Sequence, residues 1–186
     1  MNVSRKQAAE NRQQIVEAAS RLFREAGLAG VGVAEITRAA GLTHGGFYRQ
    51  FDSKEALFAE AAELALGDSA ASLAKSFARP NWFARYGETY LRDENVYGVR
   101  GDCPVALLSA DVSRQSPQVQ AAFARGLRAF LSAGREVKVG SNEWRESTAR
   151  LAMMIGTLLM ARSVREGDPE LSAAILESGR GALGNG

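Results

Sequence analysis

Apolar residues recur at intervals of three and four positions along almost the whole chain. Side chains at this spacing share one face of an α-helix, whereas a half-buried strand would alternate apolar and polar residues. The first stripe consists of Ile15, Ala18, Ala19, Leu22, Phe23 and Ala26. Glycine, proline and asparagine residues separate the helical stretches from one another. The sequence therefore predicts an all-α protein of about nine helices with no strand.

Three helices are predicted within the first 50 residues, at about 4–26, 33–40 and 44–50. The second and third are joined by the short segment Gly41-Leu42-Thr43. Its glycine can end a helix without a steric penalty, its leucine can fill the space between the helices, and its threonine can cap the next helix. This arrangement predicts a helix-turn-helix motif at about residues 32–51.

The packing expected for these three helices divides their residues into a buried set and an outer set. Ile36, Phe47 and Phe51 can pack against the first helix. Polar residues and glycines are then left for the outer surface, where the first amides of the third helix can face phosphate. The residues predicted to contact DNA are Thr37, Arg38, Thr43, His44, Gly45, Gly46, Tyr48, Arg49 and Lys54. The spacing alone also fits a plain three-helix scaffold with solvated charges.

Many positions of this region agree at fixed spacing with a known family. Residues 33–58 read VAEITRAAGLTHGGFYRQFDSKEALF, and with the first stripe they resemble the DNA-binding domain of the TetR/AcrR family over about residues 9–69. In that family the third helix enters the major groove. The resemblance implies phosphate contacts for Tyr48 and Lys54. It implies contacts at the start of the recognition helix for Thr43, His44 and Gly46.

The chain departs from the family pattern at several positions. Val31 and Gly32 stand where threonine or serine is usual, and Gln50 stands where histidine or tyrosine is usual. Gly46 replaces a commoner threonine, alanine or serine. Because Gly45 and Gly46 each cost about 1 kcal/mol in a helix relative to alanine, we expect a recognition helix that is soft without DNA. These departures bear on which DNA bases the protein reads. They do not change the predicted fold.

The remainder, residues 70–186, is predicted to form a helical effector-binding and dimerisation domain. Its first helix continues from the N-terminal part, with Gly67 as a weak point. The predicted helices lie at about 54–78, 82–96, 104–114, 117–137 and 142–166, with a last one from Pro169. The structure to expect is thus an N-terminal three-helix DNA-binding domain followed by a larger helical domain.

Aromatic residues cluster around the start of one of these helices. Such a cluster is usually core, but in a ligand-responsive helical protein it is also where a cavity wall would lie. The residues considered for a ligand cavity are Phe77, Trp82, Phe83, Tyr86, Tyr90, Cys103, Leu107 and Asp111. We expect a small, largely apolar effector. Asp111 could orient a polar group of the ligand, although a solvated position fits it as well.

Cys103 lies in the segment Gly101-Asp102-Cys103-Pro104, which resembles a glycine-cysteine-proline helix start in the effector domain of one TetR subgroup. A cysteine near a helix N-terminus can have a lowered pKa and react. A small buried apolar residue is the plainer interpretation, and the two stay open at this point.

The last two predicted helices carry more apolar surface than a small domain needs. Antiparallel packing of this pair against its symmetry mate would form a four-helix interface, as in the family. The residues predicted for this homodimer interface are Leu151, Ile155, Leu158, Leu159, Leu171 and Ile175.

Composition excludes several other classes. Hydrophobic residues make up 46% and charged residues 24% of the chain, and the net charge of +2 is too small to indicate nucleic acid binding by itself. One cysteine and one histidine argue against a disulfide framework and a zinc site. No apolar run could span a bilayer, and no signal peptide is recognised. We therefore expect a cytoplasmic protein with no membrane partner, no metal and no cofactor.

These observations together favour a DNA-binding transcription regulator. The resemblance implies a dimeric repressor that binds a palindromic operator and is released from it by a small-molecule effector. A ligand-independent DNA-binding protein is an alternative, although it would be expected to be more basic. A small helical enzyme is disfavoured because the only histidine, His44, lies in the turn region and no phosphate-binding glycine loop is present.

Overall fold

The computed structural model describes residues 5–77, 82–97, 103–133 and 135–184. All regular secondary structure in these ranges is helical, which confirms the prediction of an all-α fold. The ten helices of the described ranges are α1 (Arg5–Gly30), α2 (Val33–Ala39), α3 (His44–Phe47), α4 (Lys54–Phe77), α5 (Trp82–Tyr90), α6 (Asp93–Tyr97), α7 (Pro104–Val112), α8 (Pro117–Ser132), α9 (Asn142–Val164) and α10 (Pro169–Gly184). No helix within them is both long and apolar enough to cross a membrane.

Two glycines with left-handed backbone conformation lie where the sequence predicts the ends of the first two helices. Gly27 has a left-handed φ of 71° and interrupts α1 before its last residues. Gly41 has a φ of 69° and follows the C-cap residue of α2, Ala40. Since glycine has no Cβ, it reaches this region of backbone space at little cost. The predicted end of the second helix is confirmed, whereas the first helix breaks at Gly27 as predicted but continues to Gly30.

Some boundaries differ from the prediction for local reasons. Residues 82–96 form two helices instead of one, because the Asn95 side-chain amide donates to the carbonyls of Thr89 and Tyr90 at 2.8 and 3.0 Å and so terminates α5. Helix α8 ends at Ser132, where the next residue takes a positive φ of 41°. The N-cap of α9 is Ser141, whose hydroxyl accepts a hydrogen bond from the Trp144 amide.

The chain folds into two compact units, which divide it differently from the predicted split at residue 69. The first unit contains residues up to 68 together with 107–128, and the second contains 69–106 and 129–186. Helices α4, α7 and α8 therefore each contribute to both units. The predicted boundary was too simple, because packing in the first unit recruits a segment that lies far along the sequence.

The first unit is built around aromatic and aliphatic side chains of α1 to α4. Phe23 and Phe58 meet edge to face with ring centroids 5.1 Å apart, and both are buried. Residues of the recruited segment pack closely here as well. A Cβ on Gly126 would lie 2.8 Å from the Leu66 side chain, and Arg125 forms an ion pair with Glu63 at 2.9 Å.

The second unit has a close pair of helices at its centre, α9 and α10. A Cβ on Gly179 would lie 2.5 Å from the Thr157 side chain, so the two helices approach as closely as glycine permits. The buried Ser172 hydroxyl donates to the Ala161 carbonyl at 2.9 Å and joins the same pair. The described residues contain no group of three or more potential metal ligands.

Candidate functional site

The short helix α3 presents one buried aromatic ring and one exposed ring in succession. Phe47 is fully buried, whereas its neighbour Tyr48 is 62% exposed. Tyr48 contacts both Phe47 and His44 edge to face, with centroid distances of 5.0 and 5.5 Å. The buried ring therefore anchors the helix, and the exposed pair of His44 and Tyr48 forms part of its outer face.

The turn before α3 leaves its polar groups accessible. Thr43 occupies the N-cap position with extended φ and ψ, as predicted, but its hydroxyl makes no capping hydrogen bond. A Cβ on Gly45 would meet nothing within 4 Å, and one on Gly46 would meet only the Thr43 hydroxyl at 3.8 Å. Neither internal packing nor a positive φ requires these two glycines, so their lack of a side chain leaves open space on the outer face.

Helix α4 begins directly after this region. The Ser53 hydroxyl accepts a hydrogen bond from the Ala56 amide at 3.0 Å and so caps the helix. Lys54 is the first residue of the helix and is half-buried. Its ammonium group belongs to a helix start, where an anion is electrostatically favoured.

Arg12 of α1 contacts Phe51, which packs against the buried anchor Phe47 of α3. Its guanidinium lies 4.5 Å from the centroid of the Phe51 ring, which stacks on Phe47 at 5.6 Å. The same guanidinium donates two hydrogen bonds of 2.6 Å to the Glu60 carboxylate, and these raise the pKa of Arg12. Sequence analysis did not identify Arg12 or Glu60, because 48 residues separate them and no local pattern links them.

The second unit contains a cavity of about 220 Å³ near α5. It is lined by Ser69, Ser72, Tyr86, Thr89, Tyr90, Asn95, Cys103 and Phe130. A second recess of about 470 Å³ shares three of these residues and adds Ser76, Trp82, Arg85, Glu88 and Arg92. We call the first space the inner cavity and the second the outer recess.

The inner cavity brings two tyrosines and the cysteine together. Burial raises the pKa of both Tyr86 and Tyr90, and the neighbouring Cys103 thiol adds to the increase. Both phenols are therefore protonated at neutral pH. The Tyr90 hydroxyl is buried and has no hydrogen-bond partner of normal geometry among the described residues.

Comparison with known proteins bears on the N-terminal region first. Residues 15–61 match the family model described as bacterial regulatory proteins, tetR family. Over 61 residues the chain is 41% identical to the HTH-type transcriptional regulator AcrR of Shigella flexneri.

Residues 15–61 form a domain of the TetR type. The match to the Shigella regulator spans 33% of this chain and 28% of that protein. The family model and the Shigella protein are both described as transcription regulators.

Solved structures extend the likeness in fold to almost the whole chain. The reduced form of NemR from E. coli aligns with a TM-score of 0.71 and 23% identity, covering 94% of this chain and 95% of that one. A TetR-family regulator from Cytophaga hutchinsonii aligns with a TM-score of 0.71 and 20% identity over 100% of this chain and 98% of that one. At these identities the likeness shows the fold alone.

Most residues predicted to contact DNA lie on the outer face of this TetR-type unit. The exposed ones are Arg38, Thr43, His44, Gly45, Tyr48 and Arg49, and the half-buried ones are Gly46 and Lys54. Thr37 differs, since it is buried and its hydroxyl donates to the Val33 carbonyl at 3.0 Å inside its own helix. The prediction for Thr37 therefore needs correction, because its hydroxyl is not presented to solvent.

The residues predicted for the ligand cavity divide into several groups. Tyr86, Tyr90 and Cys103 line the inner cavity, and Trp82 lines the outer recess. Phe83 is not among the lining residues. It is buried, and the Arg150 guanidinium lies over its ring, 5.1 Å from the ring centroid.

The other predicted cavity residues do not join this group. Leu107 and Asp111 belong to the first unit. The Asp111 carboxylate already accepts hydrogen bonds from the Leu28 amide and from Arg114, so the prediction that it orients a ligand is corrected. The Phe77 side chain lies outside the described residues, as do Gly101 and Asp102 of the cysteine motif.

Sequence analysis missed the polar wall of the inner cavity. Ser69 and Ser72 of this wall, with Ser76 of the outer recess, recur at intervals of three and four along α4, so they share one face of a helix that is otherwise rich in alanine and leucine. This hydroxyl stripe was a signal that the sequence contained. Asn95 and Phe130 carried no comparable signal, since only folding brings them to the cavity.

An apolar face runs along α9 and α10. It is lined by Met153, Thr157, Met160, Leu171, Ala174, Ile175, Ser178, Gly179 and Ala182. Leu159 and Leu171 are exposed, and Ile155 and Ile175 are half-buried. Leu151 and Leu158 are only 3% and 1% exposed, so their place in the predicted dimer interface is corrected: both belong to the core of the second unit.

Proposed function

We propose that this protein binds double-stranded DNA as a homodimer and represses transcription until a small molecule releases it. The observation that carries the DNA-binding part is the outer face of α3. There Phe47 is buried as an anchor while His44, Tyr48 and Arg49 are exposed, within a region that matches a named transcription regulator. A recognition helix needs this combination of a fixed inner side and an accessible outer side.

The proposed contacts fall into two kinds. Tyr48, Lys54, Arg38 and Arg49 supply hydroxyl or cationic groups suited to phosphate, which positions a protein on DNA without reading its sequence. Thr43, His44, Gly45 and Gly46 form the start of the recognition helix, and we assign base contacts to them. The open space at the two glycines allows the backbone to approach the base edges closely.

The proposed dimer uses the apolar face of α9 and α10. Exposed side chains such as Met160 and Leu171 would gain free energy by leaving water, and a second copy of the chain offers a face of the same composition. A two-fold dimer presents two recognition helices related by symmetry. The proposed operator is accordingly palindromic.

The proposed effector site is the inner cavity. Helix α4 carries Lys54 at its first turn and Ser69 and Ser72 at the cavity wall, without interruption at Gly67. A ligand that binds one conformation better shifts the population toward it, and repression ends if that conformation binds DNA poorly. The Bacillus subtilis regulator FadR, crystallised with stearoyl-CoA, aligns with a TM-score of 0.54 and 19% identity, which supports a small molecule as effector in this fold.

In vitro selection from random double-stranded oligonucleotides tests the proposal. The wild-type chain is expected to enrich an inverted repeat, and Lys54→Ala to weaken binding to the selected sequence. Lys75→Ala is the matched control, because Lys75 is exposed near the other end of the same helix. Failure to enrich any sequence, or equal losses for the two lysine variants, would contradict the proposed DNA-binding role.

A further inference from the structure

The inner cavity contains a buried hydroxyl that lacks a hydrogen-bond partner of normal geometry. Tyr90 is 8% exposed, and apart from a weak contact with the Cys103 thiol its Oη atom has no partner of normal geometry within the described residues. A buried hydroxyl that has left water without gaining a hydrogen bond is unfavourable, and native proteins rarely retain one without a reason. A ligand that brings an acceptor oxygen to this position would satisfy it.

Two other polar side chains of the cavity already form hydrogen bonds within the protein. The Asn95 side-chain amide donates to two carbonyls at the end of α5, and the Thr89 hydroxyl donates to the Arg85 carbonyl at 3.0 Å. Burial raises the pKa of Tyr90, so its phenol keeps its proton and can act as a donor. Among the hydroxyl groups that line the cavity, that of Tyr90 is the one that is buried without a partner of normal geometry in the described residues.

The charge of the wall favours an uncharged ligand. None of the eight described residues that line the inner cavity is charged at neutral pH. The Arg162 guanidinium acts electrostatically on Tyr90, but it already donates to the Asn95 backbone carbonyl at 2.6 and 3.0 Å. A carboxylate or an ammonium group would find no counter-ion among these eight residues.

The size of the cavity limits the ligand to a compact molecule. Its volume is about 220 Å³. Since an apolar cavity of about 150 Å³ can hold benzene, the inner cavity has room for one six-membered ring with a small substituent. A longer molecule would have to extend into the outer recess.

We propose that the inner cavity binds an uncharged molecule of about one ring in size, whose oxygen accepts a hydrogen bond from Tyr90 Oη. This inference rests on the proposed effector role of the cavity and deepens it by naming the chemical class. It narrows the expectation of a small, largely apolar effector, because hydroxyl groups line the cavity beside its aromatic rings. A ketone is the simplest such ligand.

Three probes of matched size test whether the cavity prefers a hydrogen-bond acceptor, an apolar group or a negative charge. Acetophenone offers a carbonyl acceptor, α-methylstyrene replaces that oxygen with a methylene group, and benzoate adds a negative charge. Binding is measured by calorimetry on the full chain without DNA. Acetophenone is expected to bind at least about tenfold more tightly than either of the other two, which corresponds to one good hydrogen bond.

Two tyrosine variants test whether the preference for acetophenone depends on the Tyr90 hydroxyl. Tyr90→Phe is expected to remove the tenfold preference for acetophenone and to leave α-methylstyrene binding unchanged. Tyr97→Phe is the matched control, because Tyr97 is exposed and lines neither space. This control should leave the affinity of all three probes unchanged.

Several results would overturn the inference. They are equal affinity for acetophenone and α-methylstyrene, tighter binding of benzoate, no acetophenone binding up to its solubility limit, or an unchanged preference in Tyr90→Phe. Because these measurements contain no DNA, they are independent of the oligonucleotide selection. A chain that selects a ketone but enriches no DNA sequence would refute the regulator function and leave the cavity chemistry intact.

Discussion

The Asp111 carboxylate of α7 accepts a hydrogen bond of 2.7 Å from the backbone amide of Leu28, directly after the break in α1 at Gly27. The two residues lie 83 positions apart in the chain. The break leaves amides at the end of α1 without helical partners, and the carboxylate supplies an acceptor for one of them. The approach is close, since a Cβ on Gly27 would lie 2.9 Å from the same carboxylate.

Asp111→Ala is expected to lower the free energy of unfolding by about 1–3 kcal/mol, because the Leu28 amide loses a charged acceptor. Asp111→Asn keeps an acceptor oxygen and should cost less. Arg114→Ala serves as a control, since that arginine pairs with Asp111 from an exposed position. Denaturant unfolding measures all three, and equal stability of Asp111→Ala and wild type would refute the role of this hydrogen bond.

Arg12 is expected to affect DNA binding by positioning and not by contact. Arg12→Ala removes both the pair with Glu60 and the cation over Phe51, which together hold the anchor of α3. We expect weaker DNA binding with an unchanged salt slope, because no phosphate contact is lost. Glu60→Gln should act in the same direction. Glu63→Gln, which breaks the exposed pair with Arg125, is the control and should leave DNA affinity unchanged.

Replacing Lys54 and replacing His44 are expected to lower DNA affinity in ways that depend differently on the DNA sequence. Lys54→Ala should weaken binding to all operator variants alike and reduce the salt slope by about one unit. His44→Ala should cost on the order of 1–3 kcal/mol only at a contacted base pair. Fluorescence anisotropy against single-base operator variants at two salt concentrations distinguishes them. A uniform loss for His44→Ala would reverse the assignment.

The apolar face of α9 and α10 is expected to hold the dimer together. The double variant Met160→Lys with Leu171→Glu places charges on two exposed positions of this face and should yield monomers. Val139→Lys changes an apolar residue that is equally exposed but lies elsewhere, and it should remain dimeric. Light scattering after size-exclusion chromatography gives the mass of each. A monomeric wild type at micromolar concentration would contradict the proposed interface.

Alkaline pH is expected to destabilise the protein through its buried tyrosines. The ordinary pKa of tyrosine is 10.0, and burial raises the folded-state pKa of Tyr86 and Tyr90 above it. Their contribution is therefore fully present below pH 10.0 and is lost as the pH rises from there, because the unfolded chain ionises first.

Tyr90→Phe should reduce this alkaline loss, since Tyr86 then acts alone. It should also leave the stability at neutral pH unchanged or higher, because it removes a buried hydroxyl without a partner. Thermal unfolding from pH 7 to pH 11 measures both effects, with Tyr97→Phe as the exposed control. A marked loss of stability in Tyr90→Phe at neutral pH would show that its hydroxyl is already satisfied.

Local sequence signals were enough to predict the helices and the helix-turn-helix. The spacing of apolar residues specifies a helix because neighbours three and four apart share a face within each turn. Gly27 breaks α1 and Gly41 follows the end of α2 through their own backbone freedom, and Ser53 caps α4 through its own hydroxyl. Each of these effects acts over a few residues, so the sequence displays it directly.

Tertiary packing alone decided which side chains reach solvent and which partners they find. Thr37 and Leu158 have residue types and spacings that suit a surface role, yet both are buried because a neighbouring helix covers that face. The contacts of Arg12 with Glu60 and of Asp111 with Leu28 join residues 48 and 83 positions apart. The chain closes such contacts only when whole helices have packed, so no local pattern encodes them.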